Sequence, residues 1–175
     1  AIAVGAAVGL SSDTMAEGLR TFRGVRRRMQ LRGTAAGVMV YDDFAHHPTA
    51  IGETLSGVRS AHPDRRIWAI FEPRSATSCR RVFQSEFARA LGRADRVILP
   101  AVFRSNLPES ERLSPEAIVE DLKRDGVDAD YIPRTDDIVR TVARQAREGD
   151  LVIVMSNGGF DNIHQKLLDA LSARE

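Results

Sequence analysis

The sequence predicts an α/β fold: a doubly wound, mostly parallel sheet with helices on both faces. Two observations predict it. Beyond residue 33, five short apolar runs alternate strictly with five helical segments, the pattern of strand–helix repeats rather than of hairpins. The clearest run, Leu151–Met155, is apolar at every position, as a strand covered on both faces must be.

In chain order, the opening AIAVGAAVGL reads as the tail of a helix, with no basic stretch before it to suggest a signal peptide. A helix follows, with Thr14 and Glu17 spaced as a capping box and Met15, Leu19 and Phe22 at helical intervals before Gly24. Gly37–Tyr41 is the first strand, and its helix carries Pro48 in the first turn with Ile51, Leu55 and Val58 on one face. Arg66–Phe71 precedes a helix with Phe83, Phe87 and Leu91. Arg96–Leu99 comes next, and Ala101–Leu113 is the longest expected loop. Ser114-Pro115 then opens a helix bearing Ile118 and Leu122 that ends at Gly126. Asp130–Ile132 is a weak strand, after which Thr135 caps a helix with Ile138, Val142 and Ala146, stopped by Gly149. Leu151–Met155 leads into a last helix marked by Ile163, Leu167 and Leu171. Parallel crossovers are right-handed almost without exception, so this order implies a Rossmann-like sheet.

Composition narrows the function. The chain has 175 residues, 43% of them apolar, with 25 basic against 24 acidic side chains. That balance gives no reason to expect a nucleic-acid or membrane-surface binder. Apolar runs stay well short of the roughly 18 residues of a membrane span. A single cysteine, Cys79, excludes an internal disulfide framework and fits a reducing, cytoplasmic location. Charge is uneven, because six arginines but only two acids fall in residues 1–33. A boundary is therefore expected near Gly33, dividing the chain into 1–33 and 34–175, with Arg26-Arg27-Arg28 at the junction.

Ligands of doubly wound sheets bind beyond the carboxyl ends of the strands, so the loops that follow the strands carry the functional signal. The first is Asp42-Asp43-Phe44-Ala45-His46-His47-Pro48-Thr49. Its carboxylates and imidazoles suit a metal, Asp43 suits a ribose, and the same residues suit local capping. Of these the metal has least support, because His62 and His164 are distant in the chain. The second loop, Glu72-Pro73-Arg74-Ser75-Ala76-Thr77-Ser78, offers a guanidinium suited to a carboxylate or phosphate, or an ordinary surface arginine beside a hydroxyl cap. The third, Ser156-Asn157-Gly158-Gly159-Phe160, is either a tight turn or a place where backbone N–H groups approach a ligand. No P-loop, nucleophile elbow or Ser–His–Asp order occurs, and nothing near Cys79 marks it as reactive.

These motifs together resemble the Mur ligases, from Phe22-Arg23-Gly24-Val25-Arg26-Arg27-Arg28-Met29 through Asp42–Thr49, Phe71–Ser75 and Ser156–Phe160 to Ile163-His164-Gln165-Lys166. The Asp42–Thr49 string is similar to members that add L-alanine. Phe71–Ser75 and Ser156–Phe160 are similar to members that recycle a murein tripeptide. Ala76 and Asp161-Asn162 depart from the pattern.

The resemblance implies that the chain is the last part of a three-domain, ATP- and magnesium-dependent ligase of peptidoglycan metabolism. Residues 1–33 would then be the end of the central domain, whose P-loop and metal sites bind ATP and magnesium. In that family a muramyl carboxylate is activated as an acyl phosphate and an amine attacks it to form an amide. The implied substrates are UDP-N-acetylmuramate and the tripeptide L-Ala-γ-D-Glu-meso-diaminopimelate, and the severed chain is expected to be inactive. Carried onto this sequence, Arg28 touches the ATP phosphates, while Asp43 and His46 lie on the nucleotide side. His47, Arg74, Ser75, Thr77, Ser156, Asn157, Gly158 and Phe160 lie on the tripeptide side. The alternatives are an L-alanine acceptor with the same chemistry and a stand-alone nucleotide- or peptide-binding module.

Overall fold

The computed structural model describes residues 1–103 and 107–174, so residues 104–106 of the expected Ala101–Leu113 loop lie outside the described residues. Seven α-helices and six strands follow the order α1 (Ile2–Ala7), α2 (Ser12–Thr21), β1 (Gln30–Ala35), β2 (Val38–Asp43), α3 (Pro48–Ala61), β3 (Ile67–Phe71), α4 (Gln84–Leu91), β4 (Arg96–Leu99), α5 (Pro115–Arg124), β5 (Asp128–Tyr131), α6 (Thr135–Gln145), β6 (Leu151–Met155) and α7 (Ile163–Ser172) among the described residues. None of the described helices is long and apolar enough to cross a membrane.

The sheet order is β1-β2-β6-β3-β4-β5, with β2, β6, β3, β4 and β5 parallel and β1 antiparallel to β2. The mostly parallel, doubly wound α/β class therefore holds. Alternate residues of one strand serve two cores. Ile67, Ala69 and Phe71 pack with Ile51, Leu55, Phe87, Leu91 and Ile118 of α3, α4 and α5. Trp68 and Ile70 pack with Ile138, Val142, Ile163 and Leu167 of α6 and α7 on the other face.

Strand β1 was not expected. It joins β2 through Ala36 and Gly37, both at positive φ (46° and 71°), a tight-turn geometry that matches strand twist. Gln30, Arg32 and Thr34 make β1 a polar edge, so it lacks the apolar run that reveals an inner strand. It runs through Gly33, the point of the charge shift. A register shift between Leu31 and Gly33 inserts Arg32 as an extra residue, the kind of bulge that re-aims a side chain.

Two caps differ from expectation. Ser11, not Thr14, caps α2, accepting from the Thr14 N–H at 3.2 Å, and Glu17 instead pairs with Arg20. Thr135 is the first residue of α6 and Arg134 occupies the cap position. The cap on α5 is as expected, with Ser114 Oγ accepting from the Ala117 N–H at 3.1 Å.

The topology places the site. Strand β6 is inserted between β2 and β3, so chain order reverses there. The loops after β2 and β3 run to the α3/α4 face and the loop after β6 runs to the α7 face. Such a reversal opens a crevice at the carboxyl ends of the strands.

Candidate functional site

Asp43, Met155 and Phe71 stand side by side at the ends of β2, β6 and β3, so the three motif loops leave one edge of the sheet. They are stitched together directly. The Ser156 N–H donates to the Asp43 carbonyl at 3.1 Å, and the Glu72 N–H to the Met155 carbonyl at 3.0 Å. Ser156 Oγ donates to Glu72 Oε2 at 2.5 Å and accepts from the Gly158 N–H at 2.9 Å. Asp43, Arg74 and Gly158 thus share one continuous rim.

Arg74 is one cation of this rim. It is half-buried, 3.5 Å from Glu72 Oε1, with its guanidinium 3.6 Å from the centre of the Phe103 ring. Its side chain also lies on Gly158, where any Cβ would overlap it. The glycine thus lets Arg74 lie close against the loop, and it is not called for by a positive φ. Ser75 faces Ser78, the two hydroxyls 2.8 Å apart, while Ser78 Oγ accepts from the Arg74 and Ser75 N–H groups. This hydroxyl turn presents the arginine, and Thr77 is exposed beside it.

Several expected contact residues instead hold the rim from below. Asp43 is buried, its carboxylate accepting from Met29 N–H and Ala45 N–H, both at 2.8 Å, and from Thr54 Oγ1 at 3.4 Å. It pins the junction to β2 and does not face solvent as a ribose partner must. Ser156 is buried with its hydroxyl spent on Glu72 and Gly158. Phe160 is 2% exposed, its ring packed in the α6/α7 core, so it anchors the loop and offers no surface to substrate. Asn157 is half-buried, with Oδ1 lacking a hydrogen-bond partner among the described residues.

The histidines part company. His46 Nδ1 sits 2.9 Å from the Phe44 carbonyl, its ring edge-on to Phe44. His47 is the exposed N-cap of α3, its Nδ1 accepting from the Thr49 N–H at 3.4 Å, against Phe83. The capping use of this segment is thus realised at Asp43 and His47. His164, distant in sequence, sits 3.4 Å from Asp42 in space. Burial drives its pKa down; Asp42 raises it, and Arg32 and Arg27 lower it further.

At the junction the three arginines separate. Arg28 is exposed and, with Arg23 and Arg26, lines a cavity of about 530 Å³ beside Met29 and Gln30. Arg27 turns the other way, its Nη2 donating to the Ser156 and Gly158 carbonyls at 2.6 and 2.7 Å. Both guanidiniums flank the Phe44 ring, at 5.2 and 5.4 Å. Arg27, Arg32, Glu72 and Phe103 were missed by sequence reasoning. Of these, Arg27 carries a signal through the arginine run and Glu72 through the second loop motif. A further cleft of about 470 Å³ opens past β4 and β5, lined by Val102, Arg112, Glu116 and Tyr131 among others. There burial, then the Glu116 carboxylate, pushes the Tyr131 phenol upward.

The cationic junction cavity fits an anion such as a phosphate chain. Among the described residues no three His, Cys, Asp or Glu side chains group as metal ligands.

Residues 27–158 match the sequence profile described as Mur ligase, glutamate ligase domain. The chain is 43% identical over 175 residues to the UDP-N-acetylmuramate–L-alanyl-γ-D-glutamyl-meso-2,6-diaminoheptandioate ligase of Escherichia coli, covering 99% of this chain and 36% of that protein. It is 37% identical over 170 residues to a UDP-N-acetylmuramate–L-alanine ligase of Mycobacterium sp. (strain JLS), covering 95% and 34%. The crystal structure of a murein peptide ligase from Psychrobacter arcticus superposes with a TM-score of 0.72 at 37% identity, covering 98% of this chain and 35% of that one. The chain spans about a third of the length of the curated relatives it matches.

Proposed function

Because the chain belongs to the Mur ligase family, through its glutamate ligase domain, we propose that it is the amine-substrate side of an ATP-dependent, amide-forming ligase that acts on UDP-N-acetylmuramate. The acceptor in this reading is the tripeptide L-Ala-γ-D-Glu-meso-diaminopimelate. The observation that carries it is Arg74, fixed over Gly158 between Glu72 and Phe103 at the carboxyl edge of the parallel sheet. A half-buried guanidinium with a planar fork is suited to hold a peptide carboxylate in one orientation. A tripeptide offers several carboxylates and L-alanine only one. The higher identity to the tripeptide ligase supports the same choice.

The residues divide the work. Arg74 binds an acceptor carboxylate, with Thr77, Gly158 and Asn157 beside it, and Ser75 and Ser156 hold the two loops in register. His46, edge-on to the Phe44 ring that Arg27 and Arg28 flank, lies toward the nucleotide, and His47 at the head of α3 lies toward the acceptor. Arg28 faces the junction cavity and contacts the nucleotide phosphates, where fixed positive charge stabilises charge developing on a phosphoryl group. When bound, ATP supplies the phosphoryl group that activates the muramyl carboxylate for attack by the amine. Magnesium is held by residues outside this chain. Helices α1 and α2 belong to the end of the preceding ATP-binding domain, whose surface covers their apolar side chains, while β1 crosses the expected boundary at residue 33 and belongs to this sheet. The 175-residue chain is accordingly inactive by itself.

The L-alanine acceptor is the second reading, favoured by identity to the L-alanine ligases over almost the whole chain. Measuring ADP release by the full-length protein separates the two. The proposal expects a far higher kcat/KM with the tripeptide than with L-alanine, and the reverse order overturns it.

A further inference from the structure

We infer that Arg27 is a positioning residue that couples the junction to the conformation of the loop after β6, so that movement of residues 23–28 is felt at Gly158 beneath Arg74. The inference rests on the reading above only in taking that loop as part of the acceptor site.

Arg27 has φ +56°, and this left-handed backbone turns its side chain toward the sheet while Arg26 and Arg28 remain exposed. A single nitrogen, Nη2, serves two backbone carbonyls, those of Ser156 and Gly158, which flank Asn157. The same guanidinium reaches Asp42 Oδ1 through Nε at 3.4 Å and lies 5.2 Å from the Phe44 ring centre. Its own backbone is fixed as well. The Arg27 carbonyl accepts from the Phe44 N–H at 2.8 Å, and its N–H donates to Gln30 Oε1 at 3.1 Å. With Met29 bonded to Asp43, residues 27–30 form a splint between the end of β2 and the β6 loop.

What the splint holds is strained. Phe160, Asp161 and Asn162 have φ values of +42°, +49° and +53°, three successive residues in a region that L-residues visit singly. Asp and Asn tolerate it better than Phe does. Strain of this kind persists only where the surroundings over-determine the backbone. The downstream restraints are the buried Phe160 ring and Lys166, whose Nζ bridges Asp161 at 2.7 Å and Asp136 at 2.8 Å. Upstream, Arg27 holds the Ser156 and Gly158 carbonyls, alongside the bonds of Ser156 to Asp43, Glu72 and Gly158. An ammonium group carries charge but cannot bond both carbonyls and also keep the planar contacts with Asp42 and Phe44.

Amide hydrogen exchange, read by mass spectrometry on the 175-residue chain and on the full-length protein, tests the coupling. In Arg27→Ala, peptides covering 156–162 are expected to exchange roughly tenfold faster or more, with β3 and β4 unchanged, because local opening is reported segment by segment. Arg27→Lys should fall between, and Arg26→Ala should match the native protein. Should Arg27→Ala not fold, the lysine variant gives the same reading. Unchanged exchange at 156–162, or a rise shared equally by β3 and β4, overturns the inference. In the full-length protein a second measurement separates it from the acceptor assignment. If loop exchange responds while KM for the tripeptide does not, the coupling stands and the loop's place in the acceptor site falls.

Discussion

Gly158 lies directly beneath the side chain of Arg74, so that a Cβ at position 158 would overlap Cδ, Nε and Cζ of the arginine. Gly158→Ala should therefore displace Arg74 without removing it. A misplaced binding group commonly costs about tenfold to a hundredfold. The expected result is a rise of that order in KM for the acceptor, with KM for ATP and the melting temperature nearly unchanged. Steady-state kinetics on the full-length protein check it, and an unaltered acceptor KM would mean that Arg74 does not contact the acceptor.

Buried Asp43 accepts two backbone N–H groups, from Met29 across the junction and from Ala45 in its own loop. Removing a buried charged acceptor strands its donors, and hydrogen bonds to charged groups are worth about 1.5–3 kcal/mol each. Asp43→Ala is expected to destabilise the chain by roughly 2–4 kcal/mol, and Asp43→Asn by less because one oxygen remains. Denaturant midpoints at constant m-value measure this.

How far the sequence reveals this architecture depends on what each residue type encodes locally. Leu151–Met155 and Arg96–Leu99 have the expected ends, because inner strands are apolar runs bounded by turn residues. Strand β1 escaped notice because its partner lies on one side only and its side chains are half polar. The strand-end loops were readable as polar clusters, but which member faces outward was not. Asp43 and Ser156 turn inward because their partners, Met29 and Glu72, are supplied by tertiary structure. Arg27 and Arg28 are chemically identical in the sequence, and only the left-handed turn at Arg27 separates their roles. Phe160 belongs to a loop motif yet is core, because the left-handed backbone at 160–162 sets its ring among the buried side chains of α6 and α7.

The depressed pKa of His164 makes stability pH-dependent in a defined direction. In the unfolded chain the imidazole titrates near its ordinary value of about 6.5. In the fold, burial keeps it neutral to lower pH, despite Asp42 and with Arg27 and Arg32 reinforcing the shift. Below about pH 6.5 the unfolded state thus binds the extra proton first, and stability falls until the folded-state pKa is passed. His164→Gln should show a shallower loss between pH 7 and pH 5 in urea midpoints. Identical slopes for both proteins would refute the assignment.

Helices α1 and α2 and the residues that cap their C-termini expose Ile2, Val4, Val8, Leu19 and Phe22, each 50% or more accessible. Contiguous apolar surface of this sort promotes association. Truncation to begin at Arg23 should leave the unfolding free energy within about 0.5 kcal/mol, as changes away from buried features do. It should also reduce self-association in sedimentation velocity. A large loss of stability would show that these helices support the sheet.

The most direct test of the acceptor rim is a ¹⁵N NMR titration of the chain with the tripeptide at millimolar concentration. The account predicts shifts concentrated at Arg74, Ser75, Thr77, Gly158 and Gly159, and their loss in Arg74→Ala. Shifts gathered instead around Arg112, Glu116 and Tyr131, or none at that concentration, would contradict it.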